Sequence, residues 1–191
     1  AVSNILNIDK LLEFTMESIN KRLNFDRGLI MLANRQRTRL IYSVGYGYRP
    51  NEEDLLKDTE FHLDNPKSRG PFIVSFKEQK NFLINDFNEF KKFISERSEA
   101  FAKKLAVKSF ICVPIIYEGI SEGILAVDNY HSKKPLYQSD INLFLGIASQ
   151  LGISINNAKS YQLIRERELR YRALSENAPD IIYTLGLDGR F

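Results

Sequence analysis

Few residues in this chain are of a type and spacing that does chemistry. The two histidines, His62 and His131, lie far apart. No histidine–cysteine cluster has metal-ligand spacing. Both histidines read as surface or hairpin-end residues. A phosphate-cradling loop would need a glycine-rich run between a strand and a helix. Gly45-Tyr46-Gly47 comes nearest, and two glycines closing a strand are turn chemistry. A nucleophilic serine would need a strained G-x-S-x-G elbow, which the sequence lacks. The single cysteine, Cys112, sits inside the apolar run Phe110-Ile111-Cys112-Val113-Pro114. A reactive thiol needs an exposed, electropositive setting, whereas a cysteine in such a run packs as a small hydrophobe. No catalytic residue and no metal ligand emerges, and no cofactor is specified.

The informative feature is aromatic. Of 13 phenylalanines, eight fall in one stretch: Phe61, Phe72, Phe76, Phe82, Phe87, Phe90, Phe93 and Phe101. Long regular elements are scarce there. Two readings follow. Short elements need large side chains to bury enough area. Alternatively, the rings wall an apolar pocket for a small molecule. A filled aromatic cluster and an empty one look the same in sequence. The pocket candidates are Phe61, Phe72, Phe76, Phe82, Phe87 and Phe101, with Phe110 and Cys112 on the adjoining strand.

These residues must be positioned by the surrounding elements. From Asn4 to Leu23, apolar residues recur at Ile5, Ile8, Leu12, Met16, Ile19 and Leu23, one helical stripe. Apolar, partly β-branched runs at 25–33 and 39–46 flank the polar Asn34–Thr38, which reads as a hairpin turn. Asn51 reads as the cap of a short helix ending near Lys57. A strand fragment is expected at 61–63, a helix over 72–79 and a strand at 82–84. Ser98 is the expected cap of a helix through Phe101 and Leu105. A second hairpin pairs 109–117 with 122–130 about the turn Glu118–Ser121.

After Pro135 the last helix begins at a Ser139 or Asp140 cap. Its apolar positions are Ile141, Phe144, Ala148, Leu151, Ile155 and Ala158, with spacings of three and four. Such a seam either faces its own core or pairs with a second chain. No breaker occurs before Pro179. A helix of roughly 35 residues, at about 1.5 Å each, reaches some 50 Å, farther than one core of this size needs. Helix, hairpin, mixed short elements, hairpin and helix together describe an α+β domain on a largely antiparallel sheet. The terminal helices would cover one face and the irregular middle the other.

Composition sets the outer bounds. With 191 residues, 43% hydrophobic and 27% charged, the chain can bury one sizeable core and carry an appendage. No apolar run approaches the length of a membrane span, and no signal peptide is evident. One cysteine excludes an internal disulfide and points to the cytoplasm. The net charge of +3 resides between Lys159 and Arg172, where five basic residues face Glu166 and Glu168. That mixture reads as a solvated helix surface. A nucleic-acid partner would call for a broad basic face.

The stretch Ser109 to Tyr161, SFICVPIIYEGISEGILAVDNYHSKKPLYQSDINLFLGIASQLGISINNAKSY, resembles the closing part of a GAF domain. The shared features are a strand with a Val-Pro pair, a short turn, a Gly-Ile-Leu return strand, and a helix with Ala-x-Gln and Asn-Ala. The early hairpin and NFLINDF (Asn81 to Phe87) extend the resemblance over about Ile5 to Tyr161. The resemblance implies a GAF-like (profilin-like) six-stranded antiparallel sheet. It places terminal helices on one face and a ligand site under loops and short helices on the other. The Asn-Lys…Phe…Asp-Glu signature of cyclic-nucleotide-binding members is absent. Cys112 lacks the neighbouring histidine of bilin-binding members, and for the axial histidine of haem-binding members His62 is only a poor candidate. The related methionine sulfoxide reductases need several cysteines.

The closing stretch YRALSENAPDIIYTLGLDGRF (Tyr171 to Phe191) resembles the start of a PAS domain. The expected division is therefore 1–158 GAF sensor, 159–176 helical linker and 177–191 the opening of a truncated PAS domain. Ile181 to Leu187 would then be a strand without its partners. GAF followed by PAS implies a sensor histidine kinase of a two-component system. A small molecule would bind the sensor, and the last helix would relay the change. The expected partners are an unidentified ligand, a second copy paired through the terminal helices, and downstream PAS and output domains. The alternative is a ligand-free dimerisation module in a kinase or nucleotide cyclase.

Overall fold

Two hairpins organise the chain, and each turn has its own chemistry. A computed structural model describes residues 8–176. β1 (Arg27–Ala33) and β2 (Arg39–Tyr46) are joined through Asn34, whose Oδ1 accepts from the backbone N–H groups of Thr38 (2.8 Å) and Arg39 (3.1 Å). β5 (Phe110–Tyr117) and β6 (Ile120–Asp128) are joined by Glu118 and Gly119 at φ 47° and 77°. Two consecutive left-handed residues match the natural twist of a hairpin. The short strands β3 (Phe61–His62) and β4 (Phe82–Ile84) close the edges. All pairs are antiparallel, in the order β3-β2-β1-β6-β5-β4.

Alternation along the strands sends side chains to two separate cores. Ile30, Ile111, Val113, Ile115, Leu125 and Val127 pack under α1 (Ile8–Arg22) and α6 (Gln138–Glu176). Their neighbours Leu29, Met31, Cys112, Ile124 and Ala126 face a lid of short helices. The lid comprises α2 (Pro50–Asp58), α3 (Pro71–Glu78), α4 (Phe87–Phe90), a 3-10 turn at 91–93 and α5 (Glu96–Lys104). β2 changes sides midway. Its register against β1 slips so that Ser43 has no partner, and the faces of β2 exchange there. Leu40 and Tyr42 therefore serve the lid core, while Val44 and Tyr46 serve the helix core.

Local capping differs from expectation at three places. Arg49, not Asn51, precedes α2, with Pro50 in its first turn and Glu52 closing a capping box. Ser95, not Ser98, caps α5; its hydroxyl oxygen accepts from the Ser98 N–H at 3.3 Å. The four-residue α4, capped by Asp86, had no helical period to reveal it.

The long helix settles the two readings of its stripe. Ile141, Phe144, Ala148, Leu151 and Ile155 are buried in this chain's own core, and Ala158 is buried as well. A second copy cannot reach them, so any pairing must use other side chains. Beyond Ala158 the helix continues unbroken to Glu176, and residues 159–173 are all exposed. The strand expected at Ile181 to Leu187 lies outside the described residues.

α6 crosses β5 so closely that one position has no room for a side chain. A Cβ on Gly152 would lie 2.2 Å from the Ile116 carbonyl oxygen, whereas one on Gly146 would meet nothing within 4 Å. Gly152→Ala should destabilise the domain by about 1–3 kcal/mol through overpacking. Gly146→Ala in the same helix should stabilise it by about 0.5–1 kcal/mol. Urea unfolding of both variants checks the pair of signs.

Candidate functional site

The site grows from a buried ion pair. Arg27 opens β1 and Asp128 closes β6, and the two are register partners. By alternation both point to the lid side, with Leu29 and Ala126. Arg27 is fully buried. Its Nε donates to Asp128 Oδ1 at 2.9 Å and its Nη2 to Oδ2 at 2.6 Å. Nη1 donates to the Leu105 carbonyl at 3.0 Å and lies 3.8 Å from Glu52 Oε1. The rings of Tyr48 and Tyr130 flank the guanidinium, 5.1 and 4.3 Å away. Glu52 also accepts from the Arg49 N–H (2.9 Å) and Nη2 (2.6 Å). One side chain thus ties two central strands to α2 and to the turn after α5.

Beside this cluster, between the sheet and the lid, is a cavity of about 110 Å³. Its floor is Leu29, Phe110, Ala126 and Asp128. Phe61, Phe72, Ile73, Phe87, Phe101, Leu105 and Val107 form the walls. Glu60, His62, Ser68, Ser95, Arg97 and Ser98 supply the more exposed polar margin. Drug-sized pockets measure several hundred Å³. A dry cavity of about 150 Å³ holds one benzene ring, so this space is of single-ring size.

The phenylalanine cluster divides in two. Phe61, Phe72, Phe87, Phe101 and Phe110 border the cavity, with the Phe61 ring against Phe101 (5.1 Å) and Phe72 (5.6 Å). Phe76, Phe82 and Cys112 belong to the same lid core without bordering the space. Phe82 packs against Phe90 instead, at 5.5 Å, and Phe110 contacts Phe90 at 5.9 Å as well as bordering the cavity. The cluster is filled around Phe90 and open around Phe61.

His62 borders the cavity, but its ring nitrogens face Glu60 (2.9 Å) and Asp64 (3.7 Å). His131 is exposed, and its backbone N–H donates to Asp26. Among the described residues no group of three histidine, cysteine or acidic side chains is placed to hold a metal ion. No described helix is long and apolar enough to cross a membrane. Sequence reasoning missed Arg27, Glu52, Tyr48 and Asp128. A charge at a strand end reads as solvated, and only the pairing of β1 with β6 brings these two together.

Burial raises the Asp128 carboxyl above its usual pKa, and the Arg27 hydrogen bonds offset this only in part. Burial also opposes the Arg27 charge, but there the Asp128 contacts prevail and hold it charged. For Glu52, burial is outweighed by Arg49 and Arg27, so its pKa lies below the ordinary 4.5. A lowered carboxylate pKa stabilises fully above the unfolded value, and that contribution is lost as pH falls through the folded one. Glu52→Gln should therefore be less stable than the wild type at neutral pH, and the gap should close in acid below pH 4.5. Urea titrations across that range measure it. Arg27→Met should destabilise by about 3–5 kcal/mol, since it strands a buried carboxylate. Adding Asp128→Leu should recover much of the loss. Burial pushes the Cys112 thiol up to about 12. A maleimide should leave it unlabelled in the native protein and label it fully in denaturant.

The comparisons with known proteins agree with this architecture. The GAF domain family model matches residues 7–155. A probable 3',5'-cyclic phosphodiesterase of Caenorhabditis elegans is 25% identical over 91% of this chain, which spans only 24% of that relative. Among solved structures, a fragment of a methyl-accepting chemotaxis protein has a TM-score of 0.68 at 24% identity, covering 83% of this chain and 96% of the fragment. A domain of a putative two-component sensor histidine kinase from Sinorhizobium meliloti 1021 has a TM-score of 0.63 at 18% identity, with coverage of 83% and 97%. These structural likenesses speak for the fold. With the family match covering most of its length, the chain belongs to the GAF domain family.

Proposed function

We propose that this GAF domain is the sensory module of a multidomain cytoplasmic protein, a sensor histidine kinase of a two-component system. A small molecule enters the cavity beneath the lid, and α6 carries the response to the following PAS and output domains. One observation carries the reading. A single unbroken helix of 39 residues serves as core wall as far as Ala158 and then leaves the domain, with residues 159–173 exposed. At about 1.5 Å per residue it extends almost 60 Å. A helix that overshoots its core joins modules. The resemblance of Tyr171–Phe191 to a PAS opening supports a following PAS module, and the fold likeness to a domain of a putative sensor histidine kinase fits a kinase output. The phosphodiesterase relative leaves a cyclic-nucleotide enzyme as the alternative output.

Ligand binding can shift α6 only through a difference in affinity between two lid packings. The cavity wall supplies the connection. β5 and β6 present Phe110 and Ala126 to the cavity, and present Ile111, Val113 and Val127 to the α6 side. A metabolite screen by thermal shift tests the sensor reading. A hit should raise the unfolding midpoint and also change the distance between spin labels on β5 and the far end of α6. A hit that leaves this distance unchanged would remove the relay.

The second reading, a ligand-free dimerisation module, draws on exposed apolar residues. Tyr161, Ile164 and Tyr171 stand on one face of the outer helix at spacings of three and seven, and Phe14 on α1 is also exposed. We place the pairing of two chains on these residues, since the inner stripe is buried. Light scattering should report a dimer for the wild type. Ile164→Glu with Tyr171→Glu should give a monomer with an unchanged far-UV spectrum. A wild-type monomer at high concentration would sink the pairing.

A further inference from the structure

The cavity floor carries one charged side chain, Asp128, while Tyr48 and Thr59 add hydroxyl groups to the lining, and the remaining hydrogen-bonding capacity of Asp128 can be counted. An ionised carboxylate offers about four acceptor positions. Asp128 receives three donors: Nε of Arg27 at 2.9 and 3.1 Å to its two oxygens, Nη2 of Arg27 at 2.6 Å, and the Tyr130 N–H at 3.2 Å. About one position remains, and Asp128 is the floor residue bordering the cavity that carries it. Arg27 itself does not border the cavity. Its guanidinium is occupied by Asp128, the Leu105 carbonyl and Glu52. At the floor an incoming molecule therefore meets an acceptor, with the balancing charge held behind it.

Three constraints then act together. The volume of about 110 Å³ admits roughly one ring. The surrounding phenylalanines and aliphatic residues penalise any group that arrives ionised and loses its water. The negative end of a neutralised ion pair repels an anion and has no net charge to hold a cation.

Resting on the sensor reading above, we propose that the ligand is a neutral, single-ring-sized molecule that donates one N–H or O–H to Asp128. A phenol or an N–H azole such as pyrrole has this chemistry, whereas a carboxylate or a phosphate ester does not. Arg97, an exposed cation at the margin whose Nη2 donates to the Glu60 carbonyl at 3.3 Å, is the group that would favour an anion instead.

The test is a matched series on the 191-residue chain: phenol, toluene and benzoate, followed by amide chemical shifts. Phenol should bind about tenfold or more tightly than toluene, as one hydrogen bond to a charged acceptor allows. Its shifts should centre on Ala126 and Asp128, and benzoate should bind weakest. Ala126→Leu, which fills the floor, should abolish the phenol shifts while keeping the folded spectrum. Equal binding of toluene and phenol overturns the donor requirement and leaves the cavity as a binding site. Benzoate binding tightest also overturns it, and assigns recognition to Arg97. If none of the three binds and the metabolite screen also finds nothing, the sensor reading fails with it.

Discussion

The pair Arg27–Asp128 is the interaction on which the other parts converge. Two charges out of water cost several kcal/mol each, which their attraction offsets only when the remaining donors and acceptors are also satisfied. Here they nearly are. The guanidinium meets a carboxylate through two nitrogens, a main-chain carbonyl, a second carboxylate and two aromatic faces. Those partners come from β6, α2, the segment after β2, the turn after α5 and the loop after β6. If any one of these elements moves, a buried charge loses a partner. The pair therefore holds the lid in register with the sheet, at the wall of the cavity.

The sheet divides the domain into two cores of different character. The helix-side core is built from long elements, α1 and α6, with aliphatic strand residues between them. The lid-side core is built from short elements and phenylalanines. Short helices bury little area each, so rings supply the contact. Rings also pack imperfectly at their corners, and the space bordered by Phe61, Phe72 and Phe101 is such a corner. The same strands serve both cores, so only one sheet thickness separates the lid from α6. Gly152 brings that helix against the β5 backbone with no side chain to act as a cushion.

The parts of this fold that repeat were legible in sequence. The helical stripe from Ile8 onward, both hairpins, the six positions of the α6 stripe and the placement of the phenylalanines all follow from periodicity and turn chemistry. So does the overshoot of α6, because a breaker-free run past the last core residue is visible directly. The caps at Arg49 and Ser95 and the short α4 were not legible, because several nearby residues have equal capping chemistry and four residues carry no period. The slip at Ser43 was hidden too, since an extra residue in a strand leaves no compositional trace.

By itself, then, the sequence determined the α+β class, the two-hairpin order, the abundance of rings in the middle and the length of the last helix, because each is a local pattern. The tertiary structure decided three other things. It placed the α6 stripe against the chain's own sheet, because the helix returns over β5 and β6. It divided the rings into those that fill the lid core and those that leave a cavity. It also joined Arg27 to Asp128, which are separated by most of the chain and meet only when β1 pairs with β6. Partnership between distant residues depends on strand order, and no local pattern encodes it.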